Sequence, residues 1–368
     1  MLRELRRTNA RQLLQLSGRF AMLQGSLESP ALAYETWGDL NAAGDNGVLI
    51  FTGLSPSAHV CSCEADASPG WWEAMVGPEK AIDTNRYFVI CVNSLGSCFG
   101  STGPATPNPR TGEPYRMSFP VLHLEDIAQA AHAVVRHLKL TSLYAVVGAS
   151  MGGMTALAYT ILQPDMATRL VSISAATRSL PFSIALRSLQ REMIRRDPAW
   201  KDGYYATNRP PANGQRLARK LGMISYRSAA EWDIRFGRER ATNPEESGDP
   251  FCIDFEVEAY LDSHANKFIG TFDANCYLYL SRAMDLFDVA DHGGSIGAGL
   301  ERVGARAALV IGVGTDFLFP LHQQQELAEG LAAAGVDVDY RPLDSIQGHD
   351  AFLVDMDRFR PAISTFFS

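Results

Sequence analysis

The sequence predicts a doubly wound, mostly parallel α/β sheet with an inserted helical lid. Three observations carry this. Short apolar runs rich in β-branched residues recur along the chain, helical patterns lie between several of them, and the rhythm breaks once, between about Arg178 and Gly294. The runs are Val48–Phe51, Tyr87–Val92, Leu143–Val147, Leu170–Ile173, Ala307–Val313 and Val336–Leu343. Runs this short and apolar suit strands buried on both faces, as in a parallel sheet. Leu124–Leu138 repeats apolar residues at i, i+3 and i+4, and Met151–Leu162 continues until Pro164 stops it, so both read as helices.

The segment that breaks the rhythm is richer in charge and aromatics and reads mainly helical, with loops at Asn208–Pro211 and Asn243-Pro244. On an α/β core it is expected to cap one end of the sheet. The chain then divides into core (1–177), lid (178–296) and core again (297–368).

A net charge of -8 argues against nucleic acid or an anionic membrane as the main partner. No stretch approaches a membrane span, and the Arg-rich Met1–Phe20 is followed by no apolar run. A frayed N-terminal arm is expected there, and a cytoplasmic protein. Cys61, Cys63, Cys91, Cys98, Cys252 and Cys276 form no disulfide framework, and Cys61-x-Cys63 lacks zinc spacing. Buried thiols in a reducing cytosol are expected, with no metal.

The chemistry begins at Gly148-Ala149-Ser150-Met151-Gly152, which fits the G-x-S-x-G nucleophile elbow of the α/β-hydrolase fold. An apolar strand leads in and a helix leads out, which is the context the motif requires. The partners should follow in the order acid, then histidine, each on a loop after a strand. Asp316 follows Ala307–Val313, and His349 follows the run ending at Leu343. The other seven histidines lack this combination of order and loop. His349 is then the base for Ser150, and Asp316 orients it. The oxyanion hole would use the Met151 N–H and that of Gly53 or Leu54, after the strand Val48–Phe51; Gly53 reads equally as a plain turn glycine.

Cys91-Val92-Asn93-Ser94-Leu95-Gly96-Ser97, Gly100-Ser101-Thr102-Gly103-Pro104, Ala218-Arg219-Lys220-Leu221-Gly222 with Tyr226-Arg227-Ser228, and Gly348-His349-Asp350-Ala351-Phe352-Leu353 resemble the homoserine O-acetyltransferase family. The resemblance runs from about residue 30 to the end. It implies ping-pong acyl transfer from acyl-CoA, through Ser150, to the hydroxyl of an amino acid. CoA is then a co-substrate, and no bound cofactor is implied. It also implies that Arg219 contacts the amino acid, that Asp350 binds its ammonium, and that the protein is a homodimer paired through lid helices. Taken alone, Arg219 could be a solvated lid arginine and Asp350 a helix N-cap.

The longer loop Gly53-Leu54-Ser55-Pro56-Ser57-Ala58-His59 and Arg187 in the helical pattern Pro181–Ile194 look similar to the serine O-succinyltransferase branch. There the arginine would hold the distal carboxylate of succinyl-CoA. Leu318 stands where homoserine succinyltransferases of the family resemble one another in having arginine. Arg187, Arg191 and Arg195, spaced four apart, could equally form a solvated helix face. Homoserine as acceptor, acetyl as the acyl group, and water in an esterase are the competing readings.

Overall fold

The computed structural model describes residues 10–242 and 250–368. The loop at Asn243-Pro244 and the arginines Arg3, Arg6 and Arg7 lie outside the described residues. Eight strands form the central sheet: β1 Gln12–Gln15, β2 Ala31–Trp37, β3 Gly47–Phe51, β4 Phe88–Val92, β5 Ala145–Ala149, β6 Arg169–Ile173, β7 Ala307–Val313 and β8 Asp337–Leu343. Their order across the sheet is β1-β2-β4-β3-β5-β6-β7-β8. β1–β2 and β2–β4 are antiparallel, and every other pair is parallel.

The inner strands are buried on both sides because their side chains alternate between two apolar layers. Leu49 and Phe51 of β3 enter one layer, and Val48 and Ile50 the other. The first layer is closed by α1 (Leu124–His137) and α2 (Met151–Leu162), which contact each other. The lid follows β6: α3 Pro181–Arg196, α4 Ala212–Tyr226, α5 Ala229–Phe236, α6 Glu256–Phe268 and α7 Ala274–Leu286. Helices α8 (Ile296–Leu300), α9 (Leu321–Ala333), α10 (Ala351–Val354) and α11 (Met356–Phe367) complete the core. Leu327 and Leu331 of α9 join the first layer, and Phe359, Ile363 and Phe367 of α11 the second.

Local signals set the lid helices. Pro181 begins α3, where its missing N–H costs nothing, and Arg195 and Arg196 sit in its last turn. Asp273 caps α7 by accepting from Cys276 N at 3.0 Å.

The structure corrects the expectation of a frayed arm within the described part of Met1–Phe20. Gln12–Gln15 pairs with Ala31–Tyr34 as the sheet's edge. A mostly exposed edge strand ending in glutamines carries no apolar alternation to read. Strand β2 was also hidden, because fully buried Glu35 interrupts its apolar pattern. Among the described residues, no helix is long and apolar enough to cross a membrane.

The lid is fastened to the core where α4 ends. Ser228 caps α5 by accepting from Glu231 N at 3.1 Å, and its hydroxyl donates to the Ile346 carbonyl. Arg227 Nη1 donates to Gln347 Oε1 at 2.9 Å. Losing one cap and one partly buried hydrogen bond should together cost about 1–2 kcal/mol. Ser228→Ala is therefore expected to lower the urea midpoint of unfolding, and Ser228→Thr to retain most of it.

Candidate active site

Ser150 joins β5 to α2 with φ 55° and ψ -125°, a conformation that L residues rarely adopt. The flanking glycines make the turn possible. A Cβ on Gly148 would lie 2.0 Å from the Gly152 carbonyl oxygen, and one on Gly152 2.4 Å from that of Phe51. The turn is held by Ser150 N–H donating to Ile173 O at 2.9 Å.

The residues named from sequence order meet here. His349 Nε2 lies 2.8 Å from Ser150 Oγ, and His349 Nδ1 lies 2.7 Å from Asp316 Oδ2. The other Asp316 oxygen accepts from the N–H groups of Leu318 and Phe319, both at 2.9 Å. These bonds fix the carboxylate, which fixes the imidazole. Phe319 stacks on His349 with ring centroids 5.3 Å apart. Burial pushes the His349 pKa down, but the charge and hydrogen bond of Asp316 outweigh it, so the net shift is upward.

Gly348, at φ 66°, sets the histidine loop against the lid, because a Cβ there would lie 2.8 Å from Tyr226 O. Thr315 Oγ1 donates to Ser345 O at 2.6 Å and accepts from Gly348 N at 3.1 Å, tying the acid loop to the histidine loop.

Met151 is the first residue of α2, so its N–H is one of the helix's unpaired N-terminal donors. Gly53 and Leu54 line the same cavity as Ser150. Gly53 is not a turn glycine of necessity: its φ is outside the left-handed range, and a Cβ would meet only Pro56 Cδ at 3.8 Å. The loop is anchored from below, where Trp71 Nε1 donates to Ser57 O at 3.1 Å and Asn93 Nδ2 to Pro56 O at 3.3 Å. Beyond them, buried His59 joins Glu35 Oε2 through Nδ1 at 2.8 Å.

The lid, together with Asp350 beside His349, supplies a further wall. Arg187, Arg219 and Asp350 all line the Ser150 cavity. Arg187 is 6% exposed, with Nε on Asp285 Oδ1 and Nη2 on Ser179 Oγ, both at 2.6 Å. Arg191 reaches Asp285 Oδ2 at 2.6 Å, while Arg195 is exposed over the Trp200 ring. The three arginines therefore do not form one solvated face. Two guanidiniums share one carboxylate, leaving a buried excess of positive charge beside the nucleophile.

Arg219 lies over the Phe268 ring at 4.8 Å rather than in solvent. Asp350 precedes α10 but makes no side-chain cap bond; it faces Arg227 Nε at 3.4 Å. Its pKa is raised, chiefly by burial, against the opposing charges of His349, Arg227 and Arg219.

Sequence reasoning missed Gln190, Tyr226 and Tyr277, which line the same cavity. Tyr226 sits in the segment Tyr226-Arg227-Ser228, which carries part of the family resemblance. Nothing in the sequence distinguishes Tyr277 from a core aromatic. The six cysteines are free, with Cys63 and Cys252 only half-buried, and no metal-type cluster occurs among the described residues.

Residues 48–342 match the alpha/beta hydrolase fold family. The chain is 56% identical over 362 residues to a serine O-succinyltransferase of Litchfieldella anticariensis, covering 98% of this chain and 99% of that protein. Among solved structures it is similar to a homoserine O-acetyltransferase of Bacillus anthracis, with TM-score 0.89, 27% identity and 97% of each chain covered. It is also similar to esterase E22, with TM-score 0.88 and 28% identity, covering 97% of this chain and 99% of that one.

A base must be neutral to take a proton, so the raised His349 pKa places the acidic limb of the kcat/KM–pH profile above the pH 6.5 of an ordinary histidine. Asp316→Asn leaves burial as the larger influence. It should move that limb to lower pH and reduce kcat by roughly 10⁴-fold, both measurable in one pH–rate series.

Proposed function

Because the chain belongs to the α/β-hydrolase family and, within it, to the homoserine O-acetyltransferase family, we propose that it is a serine O-succinyltransferase, converting succinyl-CoA and L-serine to O-succinyl-L-serine and CoA. The observation that carries the acyl choice is buried Arg187 beside Ser150 with a carboxylate shared between two arginines. Succinyl differs from acetyl by a second carboxylate, which is costly to bury without a cation.

The triad supports two half-reactions. Ser150 Oγ attacks the thioester carbonyl as His349 Nε2 takes its proton, and the oxyanion turns toward the Met151 and Leu54 N–H groups. Collapse breaks the C–S bond, and His349 returns the proton to the departing sulfur. The serine hydroxyl then gives its proton to His349 and attacks the acyl-Ser150 carbonyl, and Ser150 Oγ leaves, reprotonated by His349. Arg219 and Asp350, on opposite charges of the same wall, suit the carboxylate and ammonium of the acceptor. The lid above this wall limits the competition from water.

The likeness to a homoserine O-acetyltransferase structure favours one second reading, with homoserine and acetyl-CoA as the pair. A homodimer through the lid is supported by Leu189 of α3 with Leu217 and Ile224 of α4, all substantially exposed. Sedimentation is expected to give twice the chain mass.

Thiol release from acetyl- and succinyl-CoA, each with L-serine or L-homoserine, tests the function. Succinyl-CoA with serine should be the best pair, and fastest release from acetyl-CoA with homoserine would replace this reading with the second. Arg187→Ala is expected to lower kcat/KM for succinyl-CoA by about 10–100-fold relative to acetyl-CoA. Arg191 remains to neutralise Asp285 in that variant.

A further inference from the structure

The lid contains a second cavity, behind a wall formed by Arg219, Tyr226 and Asp350, which face both it and the Ser150 cavity. Helices α5 and α6 build its far side with Trp232, Tyr260, His264, Lys267 and Phe268. Its charge is opposite to that of the molecule as a whole. Arg219, Arg227 and Lys267 line it against one carboxylate, Asp350. Asp350 already faces Arg227 at 3.4 Å, and Arg227 also meets Glu231 at 3.3 Å. Neither Arg219 nor Lys267 has an ion-pair partner among the described residues, and Arg219 Nε is buried without an acceptor. In a chain of net charge -8, a cleft with Lys267 unpaired beside the shared Arg219 favours an anion there.

The second feature is aromatic surface. Trp232 stacks on Phe236 at 5.3 Å and meets Tyr260 edge-on at 6.0 Å, and Tyr260 packs on His264 at 4.0 Å. Planar rings beside unpaired cations match a ligand that carries both a heteroaromatic base and phosphate. An amino-acid acceptor does not account for them. Its single carboxylate and ammonium are matched by Arg219 and Asp350 at the shared wall, leaving Lys267 and the ring cluster unused.

We propose that this second cavity seats the phosphate-bearing nucleotide end of the acyl-CoA donor, with Lys267 and His264 toward phosphate oxygens and the Trp232–Tyr260 cluster against the base. The proposal rests on the reading of the donor as an acyl-CoA. It divides the donor between two cavities, the thioester at Ser150 and the nucleotide behind Arg219 and Tyr226.

Exposed Lys267 can be changed without disturbing packing. Lys267→Glu is expected to raise KM for succinyl-CoA by about 10-fold or more, while KM for the succinyl thioester of N-acetylcysteamine, which lacks the nucleotide, changes by less than about 2-fold. Adenosine 3′,5′-bisphosphate should compete with succinyl-CoA in the wild type, more weakly at high salt and more weakly in the variant. A parallel rise in KM for both donors, a rise in the serine KM alone, or no competition by the bisphosphate would each overturn the proposal while leaving the acyltransferase reading intact. Thiol release from no acyl-CoA at all would instead remove that reading, and the proposal with it.

Discussion

The passage of the backbone through Ser150, from β5 into α2, is the constraint around which the rest of the site is arranged. The serine holds a positive φ only because Gly148 and Gly152 let strand, turn and helix approach to distances no Cβ could tolerate. That approach needs a sheet packed on both faces, because the strained turn persists only where its surroundings over-determine it. The two apolar layers around β3, β5 and β6 supply that packing. The resulting geometry places the Ser150 hydroxyl above the sheet and the Met151 N–H at a helix start.

The remaining catalytic groups are positioned by short chains of hydrogen bonds rather than by apolar contact alone. Two backbone N–H groups hold Asp316, Asp316 holds His349, and Thr315 ties their loops together. The lid enters this arrangement directly, since Gly348 lies against the backbone of Tyr226–Ser228. A shift of the lid at that point would be felt by the imidazole. The end of α4 and the loop that carries His349 are thereby in direct backbone contact.

The lid brings a second set of side chains to the same nucleophile. The triad does not read what the acyl chain carries; on the proposed reading, selection falls to the side chains that line the cavity from α3, α4 and α7. Arg187 and Arg191 around Asp285 make a buried cationic seat that would be costly without a ligand carboxylate or its own partner. On the proposed reading, Asp285 offsets one of the two charges and the other remains for the succinyl carboxylate.

Much of this was legible in the chain itself, and for a physical reason. Strands buried on both faces must be apolar, elbow glycines have no substitute, and triad order follows strand order, so β3 to β8, Ser150, Asp316 and His349 could all be named. The edge strand Gln12–Gln15 and the Glu35-bearing strand beside it left no such trace, because their pairing depends on neighbours far along the chain. The lid was visible only as a break in rhythm. Whether Arg187 faced water or the nucleophile, whether Asp350 capped a helix, and that Tyr226 and Tyr277 reached the cavity were decided by how α3, α4 and α7 cross above the sheet. Helical spacing fixes which residues share a face; only tertiary packing decides what that face meets.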